Sequence, residues 1–263
     1  MAMEIPYYHV DAFTGDLFRG NPAGVCLLTE WPDDALLQAI AHENRLSETA
    51  FVVGSGNSYE LRWFTPVAEV DLCGHATLAA SYVLYNFTGC SPGSLVFQSQ
   101  SGTLTVNREH DMYFLDFPSR KGKEIPCPAL LSEALGRMPD AVYSDRDIMA
   151  IFTNPEDIVA LKPDFSQLRK LDALGCIVTA PGMDEDFVSR FFAPSVGINE
   201  DPVTGSAHCT LIPYWAERLG KNELFARQVS SRGGELICKN QGDRVQIGGK
   251  ATLYLAGTLH LPG

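Results

Sequence analysis

The sequence predicts an α+β fold of two similar halves, each with a curved, mostly antiparallel or mixed sheet wrapped on its own helix. Two observations carry this prediction. Short stretches of the first half recur in the same order about 130 residues later, and strand-like segments alternate with a few helix-like segments in both halves. The 263 residues, of which 45% are apolar, suffice for one large core or two half-cores.

The internal repeat is clearest in two pairs of motifs. Residues 62–66 (RWFTP) are echoed by residues 190–194 (RFFAP), and residues 74–76 (GHA) by residues 205–207 (GSA). Three weaker pairs share this order and offset: residues 21–22 with 154–155, residues 50–53 with 176–179, and residues 102–106 with 234–238. A common order and offset indicate a duplication, and the crevice between two matching halves is a natural ligand site.

The strands and helices of the first half can be predicted in chain order. Hydrophobic periodicity and turn residues predict strands at residues 7–13, 25–28, 46–53 and 59–64, with a turn at residues 20–22. A helix is predicted to begin near Pro32, because apolar residues follow at helical spacing, and a second helix to run from Gly74 to about residue 86. Three short strands then form a meander at residues 95–98, 103–106 and 112–117.

The second half repeats this order from about residue 141. Strands are predicted at residues 148–152 and 177–179, with a helix at residues 165–174 between them and a final meander over residues 229–261. A helix is expected from Ser206 to Leu219, closed by Gly220, with a kink or a shortening at Pro213. We therefore divide the chain into residues 1–118 and 119–263, with the last strand able to pack back onto the first half.

Composition excludes several function classes. The net charge is −12 and no run of Lys or Arg occurs, which argues against a nucleic-acid surface and an anionic membrane surface. The longest apolar runs are too short for a membrane span, and the first residues lack the pattern of a signal peptide. Seven cysteines without a Cys-x-x-Cys pair favour the cytoplasm over a disulfide framework or a zinc site. A small-molecule or protein partner is the expectation.

The two Gly-X-Ala helix starts are the first candidate site. A helix N-terminus carries free N–H groups and a partial positive charge, so it binds anions. Gly74 and Gly205 would let the backbone approach a ligand closely, and a carboxylate could bind there without any Arg or Lys. The alternative is that both glycines only permit close packing of helix on sheet.

Glu48 is the second candidate, because it lies in a strand-like segment that is otherwise apolar or small. A buried carboxylate is costly unless it is paired or functional, and a partly buried one suits a group that takes and returns a proton. A salt bridge with Arg45 or simple exposure at the strand start is the alternative. The equivalent place in the second half, near Gly175, has no carboxylate, which is what a single-base site on a duplicated scaffold requires.

The residues around the helix starts offer further chemistry. His75 lies in the first helical turn, where the dipole is expected to lower its pKa, and Asp201 precedes Ser206. Cys73 precedes a helix start and could be a nucleophile or base with a lowered pKa. A two-thiol racemase needs a second cysteine where this chain has Thr204. A metal site from Cys73, His75, His208 and Cys209 matches no common ligand spacing.

Three motifs carry a resemblance to a known family. Residues 71–77 (DLCGHAT), 200–209 (EDPVTGSAHC) and 46–51 (LSETAF), with residues 21–25 (NPAGV) and 248–251 (GGKA), resemble the phenazine-biosynthesis PhzF-like family. The resemblance spans nearly the whole chain. It implies a diaminopimelate-epimerase-like fold, with a barrel-like sheet wrapped around a central helix in each half, no cofactor, no metal, and a homodimer.

The resemblance also implies roles for single residues. Glu48 matches the acid/base carboxylate of the family, while His75, Asp201 and Ser206 match its other catalytic positions. The amides at Gly74 and Gly205 match its carboxylate-binding positions, with Cys73 and Thr204 directly before them. These matches imply a cofactor-independent isomerase that moves a proton on a small carboxylate-bearing substrate. A racemase or epimerase that uses Cys73, and a non-catalytic binding or scaffold protein on the same fold, stay open as alternatives.

Overall fold

The computed structural model describes residues 3–89 and 93–261, and these residues form two compact units. Of the described residues, those up to 116 and those from 248 onwards form unit 1, and residues 117–247 form unit 2. Among the described residues, no helix is long and apolar enough to cross a membrane. Each unit combines one sheet with a central helix and shorter peripheral helices, which confirms the predicted α+β class.

Unit 1 forms its sheet from strands that are close in sequence, with one exception. The strands are β1 (Met3–Ala12), β2 (Asn21–Leu28), β3 (Glu48–Ser55), β4 (Ser58–Phe64), β5 (Glu69–Val70), β6 (Ser94–Ser99), β7 (Gly102–Glu109), β8 (Met112–Pro118) and β18 (Ala251–Leu261). The exception is β18, which comes from the end of the chain and pairs antiparallel with β1. The sheet order is β18-β1-β2-β3-β4-β6-β7-β8, and only the β2–β3 and β4–β6 pairs among these are parallel.

Two helices pack on this sheet in different ways. Helix α2 (Gly74–Phe87) is buried on nearly all sides, with Leu78, Ala79 and Val83 inaccessible to solvent, as expected for a helix that is apolar all round. Helix α1 (Asp34–Asn44) buries one face only, through Leu37, Ile40 and Ala41. Thus α2 is the central helix of unit 1, and its N-terminal end is the first predicted site.

Unit 2 repeats the same order of strands. Its strands are β9 (Lys123–Ile125), β10 (Ala141–Ser144), β11 (Ile148–Ile151), β12 (Cys176–Pro181), β13 (Phe187–Ala193), β14 (Ile198–Asp201), β15 (Glu223–Gln228), β16 (Gly234–Asn240) and β17 (Arg244–Gly249). The order is β9-β10-β11-β12-β13-β15-β16, and the parallel pairs are β11–β12 and β13–β15. In both sheet orders, the third and fourth strands and the fifth and sixth strands are the parallel pairs. The strand topology of unit 1 therefore repeats in unit 2.

Unit 2 also has one central helix and several short ones. Helix α6 (Gly205–Leu219) is buried on most sides, with Leu211, Ile212 and Trp215 at 0–1% exposure. Helices α3 (Ala129–Leu135), α4 (Pro155–Ala160) and α5 (Phe165–Leu168) cover a second apolar cluster. The two central helices, α2 and α6, thus each begin at the glycine of a Gly-X-Ala motif, as predicted.

Pro213 lies inside α6, and the helix is not shortened there. Proline removes the N–H that would otherwise bond the carbonyl four residues earlier, which is that of Cys209. In this protein the backbone N–H of Arg120 donates to that carbonyl at 2.9 Å. A hydrogen bond from the segment between β8 and β9 thus replaces the missing one, and of the two predicted effects, a kink or a shortening, the shortening does not occur.

Two further local expectations need correction. The helix predicted over residues 165–174 ends at Leu168, because the backbone hydrogen bonds then change to three-residue spacing: the N–H of Lys170 donates to the Gln167 carbonyl and that of Leu171 to the Leu168 carbonyl. The repeat pair of residues 21–22 and 154–155 is not structural. Asn21 begins strand β2, whereas Asn154 lies after β11 and precedes α4.

Candidate functional site

Unit 1 brings three of the sequence-predicted residues together at the start of α2. Glu48 is the first residue of β3 and is 9% exposed, and His75 is the second residue of α2 and is 4% exposed. Nε2 of His75 lies 3.1 Å from Oε2 of Glu48. This is an ion-pair distance, and apart from this contact neither atom has a hydrogen-bond partner among the described residues. Both buried atoms therefore keep the capacity to bind or exchange a proton with a ligand.

Cys73 and Asn21 contact the opposite side of the His75 ring. Sγ of Cys73 lies 3.5 Å from Nδ1 of His75, and Nδ2 of Asn21 lies 3.2 Å from the same atom. With a neutral ring, the Asn21 amide donates to Nδ1, and the Nε2–H then faces Glu48. With a protonated ring, the amide must turn to present its oxygen. Asn21 is therefore part of this cluster, whereas sequence analysis placed it in a turn, a repeat pair and a family motif without a role in the site.

The pKa directions differ from the sequence expectations. Burial lowers the pKa of His75, but the contacts of its ring with Cys73 and Glu48 act against this and leave the pKa well above 6.5. The expected lowering by the helix dipole is therefore outweighed by a carboxylate in contact with the ring. Burial, and next the nearby Glu48 charge, raise the pKa of Cys73 to about 11. Cys73 is thus a neutral thiol near pH 7, contrary to the expectation of an activated thiolate.

The same three side chains could hold a cation. One ligand atom each of Glu48, Cys73 and His75 lies within 4.8 Å of the others. Such a mixed oxygen, sulfur and nitrogen set suits a borderline metal such as zinc, provided the thiol loses its proton. The sequence prediction of no metal stays a prediction, and elemental analysis of the purified protein tests it.

Unit 2 holds Asp201 and Thr204 in a hydrogen-bonded loop just before α6. Oγ1 of Thr204 donates to Oδ2 of Asp201 at 2.5 Å. The fully buried Gln228 side chain organises this loop, because its Nε2 donates to the Asp201 carbonyl and its Oε1 accepts from the Thr204 N–H. Gln228 comes from β15, and no motif in the sequence pointed to it.

Ser206, the second residue of α6, contacts a different set of side chains. Nη2 of Arg146 donates to Oγ of Ser206 at 3.0 Å and lies 3.3 Å from Oδ2 of Asp147. Burial raises the pKa of Asp147, although the charge of Arg146 acts in the opposite direction. The sequence prediction placed no Arg or Lys at this helix start, and the structure places a guanidinium there.

The register of the two sheets shows which residue of unit 2 corresponds to Glu48. Thr49 pairs with Phe64 in unit 1, and Cys176 pairs with Phe192 in unit 2. The residue before each is Glu48 and Gly175, respectively. A Cβ atom at Gly175 would lie 2.2 Å from Cζ of Phe191, so no side chain fits there without movement. The carboxylate therefore belongs to unit 1 alone.

A cavity of about 280 Å³ lies elsewhere in unit 2. Tyr143, Tyr214 and Arg218 are among its lining residues, and none of the sequence-predicted site residues lines it. The residues of α6 that line this cavity, such as Tyr214 and Arg218, belong to later turns than the helix start.

Comparison with known proteins decides the family. The family model described as phenazine biosynthesis-like protein (PhzC-PhzF) matches residues 10–257. The chain belongs to the PhzF family. An uncharacterized isomerase of Pseudomonas aeruginosa is 52% identical, and the alignment covers 98% of this chain and 100% of that protein.

Solved structures agree with this assignment. The crystal structure of a PhzF-family phenazine biosynthesis protein from Enterococcus faecalis is 50% identical, with a TM-score of 0.96 and coverage of 98% of this chain and 100% of that chain. A hydroxyproline epimerase from Agrobacterium vitis, 9% identical, has a TM-score of 0.66 over 98% of this chain and 93% of that chain, and shows the fold alone. The chain is an isomerase-like member of the PhzF family with an epimerase-like fold, as the motifs predicted.

Proposed function

We propose that the protein is a cofactor-independent isomerase that moves a proton on a small carboxylate-bearing substrate, with Glu48 as the acid and base. The observation that carries the proposal is the contact of Glu48 with His75 at 3.1 Å, in a buried place at the start of α2. Relatives named isomerases, at about half identity over the full chain, support the reaction class.

The proposed step is a balanced proton transfer. The Glu48 carboxylate takes a proton from a substrate carbon, and the electron pair of that C–H bond enters the substrate's π system. Glu48 then returns the proton to another carbon of the same substrate, so a double bond shifts without oxidation or reduction. A carboxylate that needs no co-reactant suits this step, because its own protonated form is the acid of the second half.

In this proposal, the starts of α2 and α6 bind the negative charge of the substrate. Gly74 and His75 begin α2, and Gly205 and Ser206 begin α6, so their backbone N–H groups have no partner within the helix. Such groups bind a carboxylate well, and they stabilise the negative charge that develops when a proton leaves carbon. His75, Asp201 and Ser206 would orient the polar groups of the substrate.

A racemase that uses Cys73 is the weaker candidate. Its supporting observation is the 3.5 Å contact of the thiol with His75. Against it, the pKa of Cys73 is raised to about 11 through burial, and Thr204 replaces the second thiol of the two-base mechanism. A thiolate is therefore costly to form here.

The test follows substrate hydrogen in deuterated water. Carboxylic metabolites are first screened by thermal shift, and hits are then followed by proton NMR for exchange and double-bond migration. Glu48→Gln is expected to slow exchange by about 10²- to 10⁴-fold, because the general base is lost while the shape is kept. Glu43→Gln, an exposed carboxylate of α1, is the matched control and should exchange like the wild type.

Each other outcome has a definite meaning. Exchange at the wild-type rate in Glu48→Gln would remove the proposed role of this residue. Loss of exchange in Cys73→Ser, with Glu48→Gln active, would establish the racemase mechanism instead. Binding of several hits without any exchange in the wild type would favour the non-catalytic protein.

The homodimer implied by the family resemblance remains part of the proposal. Its measurement is light scattering coupled to size-exclusion chromatography at several concentrations. A molar mass of one chain at all concentrations would contradict it.

A further inference from the structure

We propose that Arg146 binds the anionic group of the substrate at the start of α6 and thereby sets the preference of the protein for carboxylates. This inference rests on the proposed function and adds a residue and a charge to it. The sequence prediction relied on backbone N–H groups alone, whereas the structure places a guanidinium on the hydroxyl of the second helical residue, Ser206.

The first argument is the position of the charge. Nη2 of Arg146 is 3.0 Å from Oγ of Ser206, so the guanidinium lies beside the free N–H groups of the first turn of α6. The side chain of Arg146 is 31% exposed, so part of it remains accessible to a ligand. A guanidinium next to a helix N-terminus combines two features that each favour an anion.

The second argument is the unused hydrogen-bonding capacity of the guanidinium. Nη2 is shared between Ser206 and Asp147. Nε of Arg146 is buried and, among the residues that the structure describes, has no hydrogen-bond partner. A buried donor without a partner is costly, and a carboxylate oxygen of a ligand would satisfy it.

The third argument is the balance of charge around this helix start. Asp147 is 2% exposed and pairs with Arg146, which holds the base of the guanidinium in place. Arg120 is close enough for its charge also to favour the ionised form of Asp147. Asp147 thus balances part of the positive charge at this helix start and holds the Arg146 guanidinium beside Ser206. Asp147 is a positioning residue in this arrangement.

The test uses benzoate as a carboxylate probe and benzamide as its uncharged counterpart. ¹⁵N-labelled full-length protein is titrated, and the amide signals of residues 205–207 are followed. We expect benzoate to shift these signals and benzamide to leave them in place. Arg146→Gln should weaken benzoate binding about ten- to hundredfold, because a charged hydrogen bond is lost. Arg218→Gln, on the exposed last turns of the same helix, should bind like the wild type.

Two more variants keep the inference testable if Arg146→Gln does not fold. Arg146→Lys keeps the charge but loses the planar fork, so it should bind benzoate with an intermediate affinity. Asp147→Asn should weaken binding less than Arg146→Gln does and leave the preference for benzoate over benzamide. Wild-type affinity in both Arg146 variants, or no benzoate shift at residues 205–207 in the wild type, would overturn the proposal.

This result is independent of the isomerase test. Benzoate binding involves no turnover, so it is measured on the wild type and the Arg146 variants without any exchange reaction. Failed hydrogen exchange with intact benzoate binding would remove the proposed reaction only. Intact exchange with unaltered benzoate binding in Arg146→Gln would remove only the role of Arg146.

Discussion

The starts of α2 and α6 share a backbone and differ in chemistry. Both helices begin with a Gly-X-Ala motif after the same order of strands. The α2 start carries a buried glutamate, histidine and thiol in contact with one another. The α6 start carries a serine bound by an arginine, and a hydrogen-bonded aspartate and threonine. The two units thus repeat one backbone arrangement, while the α2 start holds a glutamate, a histidine and a thiol in contact and the α6 start holds a guanidinium with its own set of hydrogen bonds.

Two histidines make the same comparison in electrostatic terms. His75 contacts a carboxylate, which contributes to a pKa well above 6.5. His208, in the first turns of α6, is fully buried, and burial lowers its pKa to about 4 despite its hydrogen bond to the Thr204 carbonyl. The surroundings, and not the position in the helix, decide the direction of each pKa: contacts with Cys73 and Glu48 outweigh burial at His75, whereas burial dominates at His208.

The largest effect on stability is expected from His208. Its folded pKa of about 4 lies below the usual value near 6.5, so its stabilising contribution is present above about pH 6.5 and is lost as pH falls towards 4. The loss amounts to about 3 kcal/mol, since each pKa unit corresponds to about 1.4 kcal/mol. Urea unfolding from pH 7.5 to 4 should show this loss in the wild type, and it should be smaller in His208→Gln.

The control for this experiment is His42→Gln, which removes an exposed histidine. It should lose the same stability in acid as the wild type. An equal acid loss in His208→Gln would show that another group is responsible, and the contrast between the two histidines would then fall.

A smaller effect is expected at Gly175, the counterpart of Glu48. Gly175→Ala places a methyl group 2.2 Å from Cζ of the buried Phe191 ring, so the ring must move. We expect a loss of about 1–3 kcal/mol in the free energy of unfolding, as for other overpacked cores. Gly15→Ala is the control, because its new Cβ would meet only the Lys250 side chain at an ordinary 3.6 Å. Equal stability of both variants would mean that a side chain fits at this place.

The last prediction concerns how the free energy of unfolding changes with pH because of His75. The test is whether the pKa of His75 is raised or lowered in the folded protein. A raised folded pKa means that the stabilising contribution is fully present below the unfolded pKa near 6.5 and is lost as pH rises through the higher folded value. Wild-type stability should therefore fall relative to His75→Gln on the alkaline side. Ring titration by NMR gives the folded pKa directly. A pKa at or below 6.5 would contradict the stabilisation of the protonated ring by its contacts with Glu48 and Cys73.

Local patterns predicted the two central helices well. Helix α2 was expected from Gly74 to about residue 86 and runs from Gly74 to Phe87, because a glycine start and a long apolar run allow little else. The strand pairs at β3 and β12, and at β7 and β16, also follow the repeat that the sequence showed. The expectation failed at α5, where the helical pattern of residues 165–174 is divided by turns, and at Pro213, where Arg120 supplies a hydrogen bond that no local pattern contains.

The order of residues along the chain was enough for the family, the fold class and the candidates Glu48, His75, Asp201 and Ser206, because short motifs and periodicity are local properties. It was not enough for Arg146, which meets Ser206 from 60 positions away, nor for Gln228, which reaches Thr204 from β15. The raised pKa of His75 likewise depends on its contacts, one of which is with a carboxylate brought to the helix start from strand β3. Contacts between distant residues, and the burial that strengthens their charges, exist only once the chain has folded.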